Sequence, residues 1–347
     1  MKNLLYIGNH FSGKDTNPSV IQTLGKQLEA EGFVMRYASS RRNKLLRLCD
    51  MVWCCFAYAK TTDAVLLDTY STQNFYYAVA VSLSCKLLRL PYIPILHGGN
   101  LPKRLETHPF LSELVFRKAY ALVSPSRYLK TVFEAHGYAP VTYIPNSIVL
   151  SHYPYAERSL PPVALLWVRA FNDLYHPALA VRVLKCLQDD GLDASLCMVG
   201  PDRDGSLAEV RALADQLGVQ VRFTGKLSRE AWTTLARDYT VFINTTRFDN
   251  MPVSVLEAMA LGLPVVSTCV GGIPYLLEDG TDGLLVPPDD VEAFAGAVKQ
   301  LAASPDLTTK LVQHARKKVE GFDWKVVKPK WIAVFRGDAQ RNSDTQS

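Results

Sequence analysis

The chain has 347 residues, 48% of them hydrophobic and 20% charged, with a formal net charge of +5. That length is too great for one small core and makes two domains the natural prior, while the composition excludes a disordered chain. The charge is unevenly shared: residues 1 to 150 hold 17 Lys/Arg against 9 Asp/Glu, and the remainder holds 21 against 24, so the first half is expected to face an anionic partner, although the whole chain is not basic enough to point to nucleic acid.

In chain order, "MKNLLYIGN" reads as an opening strand that stops at Gly8 rather than as an export signal. The following "YIGNHFSGKDT" spaces Gly8, Gly13 and Lys14 like a phosphate-binding P-loop, but Asp15 stands where that loop needs a Ser or Thr hydroxyl for magnesium. Asn17 and Pro18 look like the cap and first turn of a helix that starts too late for a P-loop. In "VIQTLGKQLEAEG", Val20, Ile21, Leu24 and Leu28 share a helical face and Gly32 ends it.

The run "SSRRNKLLRLCDMVWCCFAYA" mixes Arg41, Arg42, Lys44 and Arg47 with Leu45, Leu46, Leu48, Met51, Val52 and Trp53. Two readings stand open for it: a core-packed helix with a solvated basic end, or a patch facing an anionic membrane surface. Its densest apolar stretch, "MVWCCFAYA", falls short of the roughly 18 residues of a membrane span. The seven cysteines form no CxxC pair and no Cys/His ligand spacing, which implies reduced thiols, a cytoplasmic setting and no zinc site.

Strand and helix patterns alternate, and the alternation restarts after the Pro/Ser-rich "SHYPYAERSLPP" with "VALLWV", "PALAVRVLKCLQDDG", "SLCMVG", "SLAEVRALADQLG" and "VRFTG". The expected fold is therefore α/β, with two Rossmann-like domains and ligands beyond the carboxyl ends of the strands, after Gly8, Val168, Gly200 and Gly225. Two such domains facing each other would put the site in a cleft. The expected boundaries are 1–155 for the first domain and 161–321 for the second. Residues 322–347 are expected to form a helix packing back on the first domain, with a disordered tail.

The most informative stretch is "NTTRFDNMPVSVLEAMALGLPVVSTCVGGIPYLLEDGTDGLLVPPDD", residues 244–290. A polar loop ends in Asp249 and Asn250, and Pro252 opens a helix where its missing N–H is harmless. Leu256, Met259 and Ala260 form the buried stripe, and Gly262 with Pro264 ends the helix. The free N–H groups around Val253 and Ser254 suit a diphosphate. Glu257, inside the helix, would repel phosphate but can accept two hydrogen bonds from a ribose diol.

This segment closely resembles the signature of glycosyltransferase family 4 (glycosyl transferases group 1), retaining enzymes of the GT-B fold that use nucleotide sugars. The family's E-x7-E motif has its counterpart in Asp249-x7-Glu257, followed by "EAMALGLPVV" and "VGGIP", and "ILHGGN", "ALVSPSRYL", "YIPNS", "CMVGP" and "VRFTGKLS" match in order along the chain. Asn146, within "YIPNS", reads as a turn former.

The resemblance implies donor binding by Glu257, Asn250, Met251, Pro252, Val253, Ser254, Gly13, Gly200, Gly225 and Lys226, and acceptor binding by Ser12, Gly98 and Gly99. It implies catalysis by Asp249 against the transferred sugar, by His97 touching that sugar from the first domain, and by Arg169 on the departing diphosphate. It implies no metal and no cofactor beyond the nucleotide-sugar substrate, and a glycan or lipid-linked acceptor. The chain departs from the family in three places. Asp249 is one methylene shorter than the usual Glu. The family's second cation is missing from "RAFNDLYHP", leaving His176, Lys226 or Arg247 as replacements. Tyr275 stands where an acidic residue is common. Other readings on the same scaffold are a non-catalytic sugar-nucleotide-binding protein, or an epimerase or phosphorylase, whose extra carboxylates or cofactor lysine have no clear signature here.

Overall fold

A computed structural model describes residues 1–10 and 20–337. The readings that fall on Ser12, Gly13, Lys14, Asp15, Asn17 and Pro18, and on the tail from residue 338, lie outside the described residues. The chain divides into two compact units, Met1–Ser147 with Trp324–Ser347, and Ile148–Asp323.

The first unit holds β1 (Asn3–Ile7), β2 (Val34–Ala38), β3 (Ala64–Thr69), β4 (Tyr92–Leu96), β5 (Leu122–Ser124) and β6 (Val141–Tyr143). The second holds β7 (Val163–Val168), β8 (Ala194–Val199), β9 (Val221–Gly225), β10 (Val241–Asn244), β11 (Val265–Thr268) and β12 (Leu284–Val286). Each set forms one six-stranded sheet, in the orders β2-β1-β3-β4-β5-β6 and β12-β11-β10-β7-β8-β9, and the pairings are parallel throughout. The α/β class with two Rossmann-like halves is thus the observed one.

Continuous apolar strands such as "VALLWV" are what a parallel sheet demands, because helices cover both faces. Alternate residues of each strand then serve different cores. Leu5, Ile7, Val65 and Leu67 pack on one side of the first sheet, and Leu4, Tyr6, Ala64 and Leu66 on the other. In the second sheet Leu165 and Trp167 oppose Ala164 and Leu166 in the same way.

The helix Trp324–Arg336 belongs to the first unit. Its Trp324, Val327, Trp331, Val334 and Phe335 join Leu4, Tyr6 and Ile21 in the core, and the Trp324 indole and the Lys328 ammonium donate to the Glu31 carboxylate at 3.2 and 3.0 Å.

The second unit starts earlier than the expected boundary. Ile148 donates to the Phe322 carbonyl at 3.0 Å, and Tyr153 and Ile148 are buried in its core. The stretch read as a linker therefore packs against the second unit: Ala156 donates to the Leu261 carbonyl at 3.3 Å. Its Pro and Ser content marks irregular backbone, not the absence of packing.

The basic-apolar run forms the helix Lys44–Tyr58, capped by the Asn43 side chain. It divides between the two readings. Met51, Cys54 and Cys55 are buried, whereas Leu45 (75%), Leu46 (60%), Trp53 (68%) and Phe56 (45%) stand exposed. Arg47, counted above with the basic residues, is buried instead and donates to the carbonyls of Arg41 and Arg42 and to Asn9. Among the described residues no helix is long and apolar enough to cross a membrane.

Candidate active site

Arg169 follows β7 directly, and its N–H donates to the Val199 carbonyl at 3.0 Å, which fixes where its side chain leaves the sheet. Gly200 follows β8 beside it, at φ +155°, and a Cβ there would come within 1.7 Å of the Arg169 carbonyl oxygen. Gly200 in turn donates to the Gly225 carbonyl at 2.9 Å. Gly200 and Gly225, expected to touch the donor, thus serve the backbone first, because they let three strand ends converge on Arg169. The Arg169 guanidinium lies 4.1 Å over the Tyr175 ring and contacts the Asp249 carboxylate, both side chains being only 14% exposed. Its Nε is buried with no hydrogen-bond partner among the described residues. A fork held in this way, with a donor unused, suits a planar anion.

Asp249 reaches this point from the loop after β10, with Asn250 donating its N–H to Asp249 Oδ1 at 2.8 Å. That loop is clasped by Gly271 and Gly272. Gly272 donates to the Asp249 carbonyl at 2.8 Å, and a Cβ on it would fall 1.9 Å from the Asn250 carbonyl oxygen. The "VGG" of "VGGIP" is therefore needed for backbone contact between two loops. Tyr275, just beyond, is exposed.

The helix read from Pro252 runs Val253–Leu261, with Pro252 as its N-cap, one residue later than expected, and no side chain capping it. Met251 is buried beside it. The N–H groups of Val253 and Ser254 have no place in the helical ladder, and the Ser254 hydroxyl is buried with no hydrogen-bond partner among the described residues. Open N–H groups, an orphaned hydroxyl and the positive end of the helix dipole are groups whose chemistry suits an anion. The expected apolar stripe is a correction: every residue from Ser254 to Leu261 is buried, because this helix is packed on all sides.

Glu257 is among these buried residues. Tyr153 donates its hydroxyl to Glu257 Oε1 at 2.5 Å, and Arg229 Nε stands 3.6 Å away. Burial pushes the Glu257 carboxyl up to about 6, against the pull of the Tyr153 hydrogen bond and of the Arg229 and Arg169 charges. Tyr153, whose own pKa is raised chiefly by burial, stays a donor. Tyr153, Tyr175 and Arg229 were not singled out in the sequence.

Of the three replacements for the second cation, His176 and Arg247 face acidic side chains. His176 Nδ1 lies 2.8 Å from Asp289 Oδ1, and Arg247 pairs with Asp173 and, at 3.3 Å, with Asp289. Burial and then the Arg247 charge lower the His176 pKa. Lys226, half-buried, directly follows Gly225 and so shares the strand end that adjoins Gly200 and Arg169.

In the first unit, His97 follows β4. Its N–H donates to the carbonyls of Thr69 and Ile95 at 3.0 Å, and Gly98 donates to Thr69 at 3.1 Å; Gly99 beside it is half-buried. His97 Nε2 lies 3.1 Å from Asp68 Oδ1, the same oxygen that accepts the Tyr6 hydroxyl at 2.9 Å, and the imidazole stacks on Tyr70 with centroids 5.6 Å apart. Asp68 was not singled out in the sequence either. Among the described residues no group of three or more His, Cys, Asp or Glu side chains is arranged to hold a metal ion.

Residues 165–304 match the family model of the glycosyl transferases group 1. Among curated proteins the chain is similar to the D-inositol 3-phosphate glycosyltransferases of Saccharomonospora viridis, 29% identical over 50% of this chain and 42% of that protein, and Streptomyces coelicolor, 29% identical over 49% and 39%. The chain thus spans well under two thirds of these relatives' lengths.

Solved structures match nearly end to end. A sucrose-phosphate synthase of Thermosynechococcus elongatus superimposes with a TM-score of 0.78 at 18% identity over 100% of both chains. Anabaena HepE, solved with UDP and glucose, does so with a TM-score of 0.75 at 17% identity over 99% of this chain and 100% of that one. At such identities the likeness shows the fold, which is GT-B. The sequence likeness to the glycosyl transferases group 1 lies in the second unit, over residues 165–304.

Proposed function

We propose that this chain is a retaining glycosyltransferase. It moves a sugar from a nucleotide-diphosphate donor to a hydroxyl of a glycan or lipid-linked acceptor, as surface polysaccharide or glycolipid synthesis requires. The observation that carries this reading is the convergence in the second unit of an Arg169 fork with an unused donor, the uncapped helix start at Val253 and Ser254, and the buried Glu257. Glu257 accepts the ribose diol; Arg169, Lys226 and the helix N–H groups take the diphosphate, with Asn250, Met251 and Pro252 shaping its bed.

Departure of the diphosphate leaves an oxocarbenium-like sugar, which Asp249 stabilises and His97 holds by a hydroxyl. Among the described residues no side chain stands out as a covalent nucleophile, so attack from the leaving-group face, with the departing phosphate taking the acceptor's proton, fits best. The fixed cations supply the charge stabilisation that a divalent ion provides in other transferases, so the reaction is proposed to be metal-independent.

Because HepE was solved with UDP, uridine diphosphate sugars come first in a thermal-shift panel that also includes GDP, ADP and dTDP sugars. The expected result is stabilisation by one nucleotide class, with slow donor hydrolysis that Glu257→Ala abolishes. Tight binding without turnover on any acceptor would make the chain a sugar-nucleotide-binding protein instead.

The exposed face of the helix Lys44–Tyr58 supports a further part of this reading, contact with an anionic membrane surface at the inner face of the membrane. Leu45, Leu46, Trp53 and Phe56 are exposed beside the likewise exposed Arg41, Arg42 and Lys44, the pairing of apolar and cationic groups that interfacial helices use. The protein is expected to sediment with vesicles containing anionic phospholipid at low salt, and Leu46→Glu combined with Trp53→Glu to abolish this. A wild-type protein that stays in the supernatant sinks the idea.

A further inference from the structure

The strand β3 reads "AVLLDT", and all six residues are buried. Asp68 is the one charged residue in it, with a side chain 0% exposed against 6% for His97. Oδ1 accepts two hydrogen bonds, from Tyr6 and His97. Oδ2 is buried with no hydrogen-bond partner among the described residues, at the wall of a small pocket that also includes Gly8, Asn9, Tyr70 and Tyr77. A buried carboxylate with one oxygen unsatisfied is unfavourable for stability, and an apolar residue of similar size would serve the sheet better. Its retention needs another reason, and the geometry of Oδ1 supplies one.

An ionised carboxylate only accepts hydrogen bonds, so the hydrogen between Asp68 and His97 sits on Nε2. Burial raises the Tyr6 pKa well above its ordinary value, and so Tyr6 also faces Oδ1 as a donor. We propose that Asp68 is a positioning residue that fixes the Nε2–H tautomer of His97, turning the Nδ1 lone pair toward a hydroxyl of the transferred sugar. This rests on the reading that His97 meets that sugar.

A neutral imidazole polarised by a carboxylate is a stronger acceptor at its other nitrogen, and that bond strengthens as the sugar gains positive charge. The ring has few ways to turn: the backbone N–H groups of His97 and Gly98 are tied to Thr69, and Tyr70 covers one face.

The test has two arms. In protein labelled with ¹⁵N-histidine, the His97 signals, assigned by their loss in His97→Gln, are expected to show the Nε2–H tautomer in the wild type and to lose that preference in Asp68→Leu, which removes the acceptor. A wild-type His97 with its hydrogen on Nδ1 overturns the proposal, whatever the variant does. In kinetics, Asp68→Asn is expected to lower kcat roughly 10- to 100-fold with donor KM changed less than about threefold, the size of effect seen for partners that orient a ligating histidine. Asp68→Asn added to His97→Ala is expected to lower kcat no further. A further loss in the double variant overturns the proposal, since Asp68 then acts apart from His97. Full activity of His97→Ala alone would instead remove the role given to His97 in the reaction, and the tautomer measurement still judges Asp68.

Discussion

Glu257→Gln is expected to make the protein more stable at pH 7.5 and at the same time to remove most of its hold on the donor. The two effects have one cause. Glu257 is buried, and its carboxyl is raised from an ordinary 4.5 to about 6. The folded protein therefore binds a proton more tightly there than the unfolded chain does, so stability falls as pH rises from about 4.5 through 6 and stays reduced above that window. With 1.36 kcal/mol per pKa unit, the ionised form is destabilised by roughly 2 kcal/mol.

Glutamine keeps an oxygen for the Tyr153 hydroxyl, which stands at 2.5 Å, and loses the attraction of the half-buried Arg229 at 3.6 Å and of Arg169, which is smaller than the burial cost it removes. The Tm gap between Glu257→Gln and wild type is therefore expected to open between about pH 4.5 and 6, reach a few degrees and then stay level. Donor affinity is expected to drop about 100-fold, because two charge-assisted hydrogen bonds to a ribose diol are worth roughly 1.5–3 kcal/mol each and an amide accepts them less well. A variant that gains no stability above pH 6.5, or binds the nucleotide as before, removes Glu257 from the ribose.

How far the sequence spoke depended on whether a residue's role was written in its local pattern. Asp249, Pro252, Glu257 and the two glycines of "VGGIP" sit within some 25 residues of one another, where local pattern described a loop and an open helix start, and the family resemblance supplied the rest. Arg169 was visible through the family resemblance, which the position just after the strand β7 accommodates. Tyr153 was not, since it reaches Glu257 from a Pro/Ser-rich stretch whose packing leaves no periodic mark. Asp68 carried a usable signal, a carboxylate in an otherwise apolar, fully buried strand. Arg47 shows the reverse error. Its neighbours suggested a basic surface, yet its guanidinium turns inward onto carbonyl groups; local charge density does not reveal which cation a fold uses internally. The burial of Ser254–Leu261 on every side likewise follows from tertiary packing that no single helix period encodes.

Asp249→Asn is expected to tighten binding of the nucleoside diphosphate about tenfold while lowering kcat about 100-fold, a split that follows from what Asp249 touches. Its carboxylate engages Arg169, the residue proposed to receive the diphosphate, so carboxylate and diphosphate compete for one guanidinium. Both side chains are largely shielded from water, where a like charge a few ångströms from the phosphates costs more than it would at the surface. Removing the charge and keeping the shape leaves the Asn250 N–H its acceptor at 2.8 Å and hands Arg169 to the anion. A gain of 1.4 kcal/mol is a factor of ten in affinity. The rate falls for a different reason: the oxocarbenium-like sugar loses the nearest negative charge, and removing one preorganised electrostatic contact typically lowers kcat 10²- to 10³-fold. In this reading Asp249 also speeds turnover by reclaiming Arg169 and so helping to expel the product diphosphate, whose release limits many transferases that hold it tightly. Calorimetry with the nucleoside diphosphate and single-turnover kinetics separate the two effects. If Asp249→Asn binds the diphosphate more weakly than wild type, Asp249 is not its competitor, and the carboxylate serves to orient Arg169 rather than to oppose the ligand.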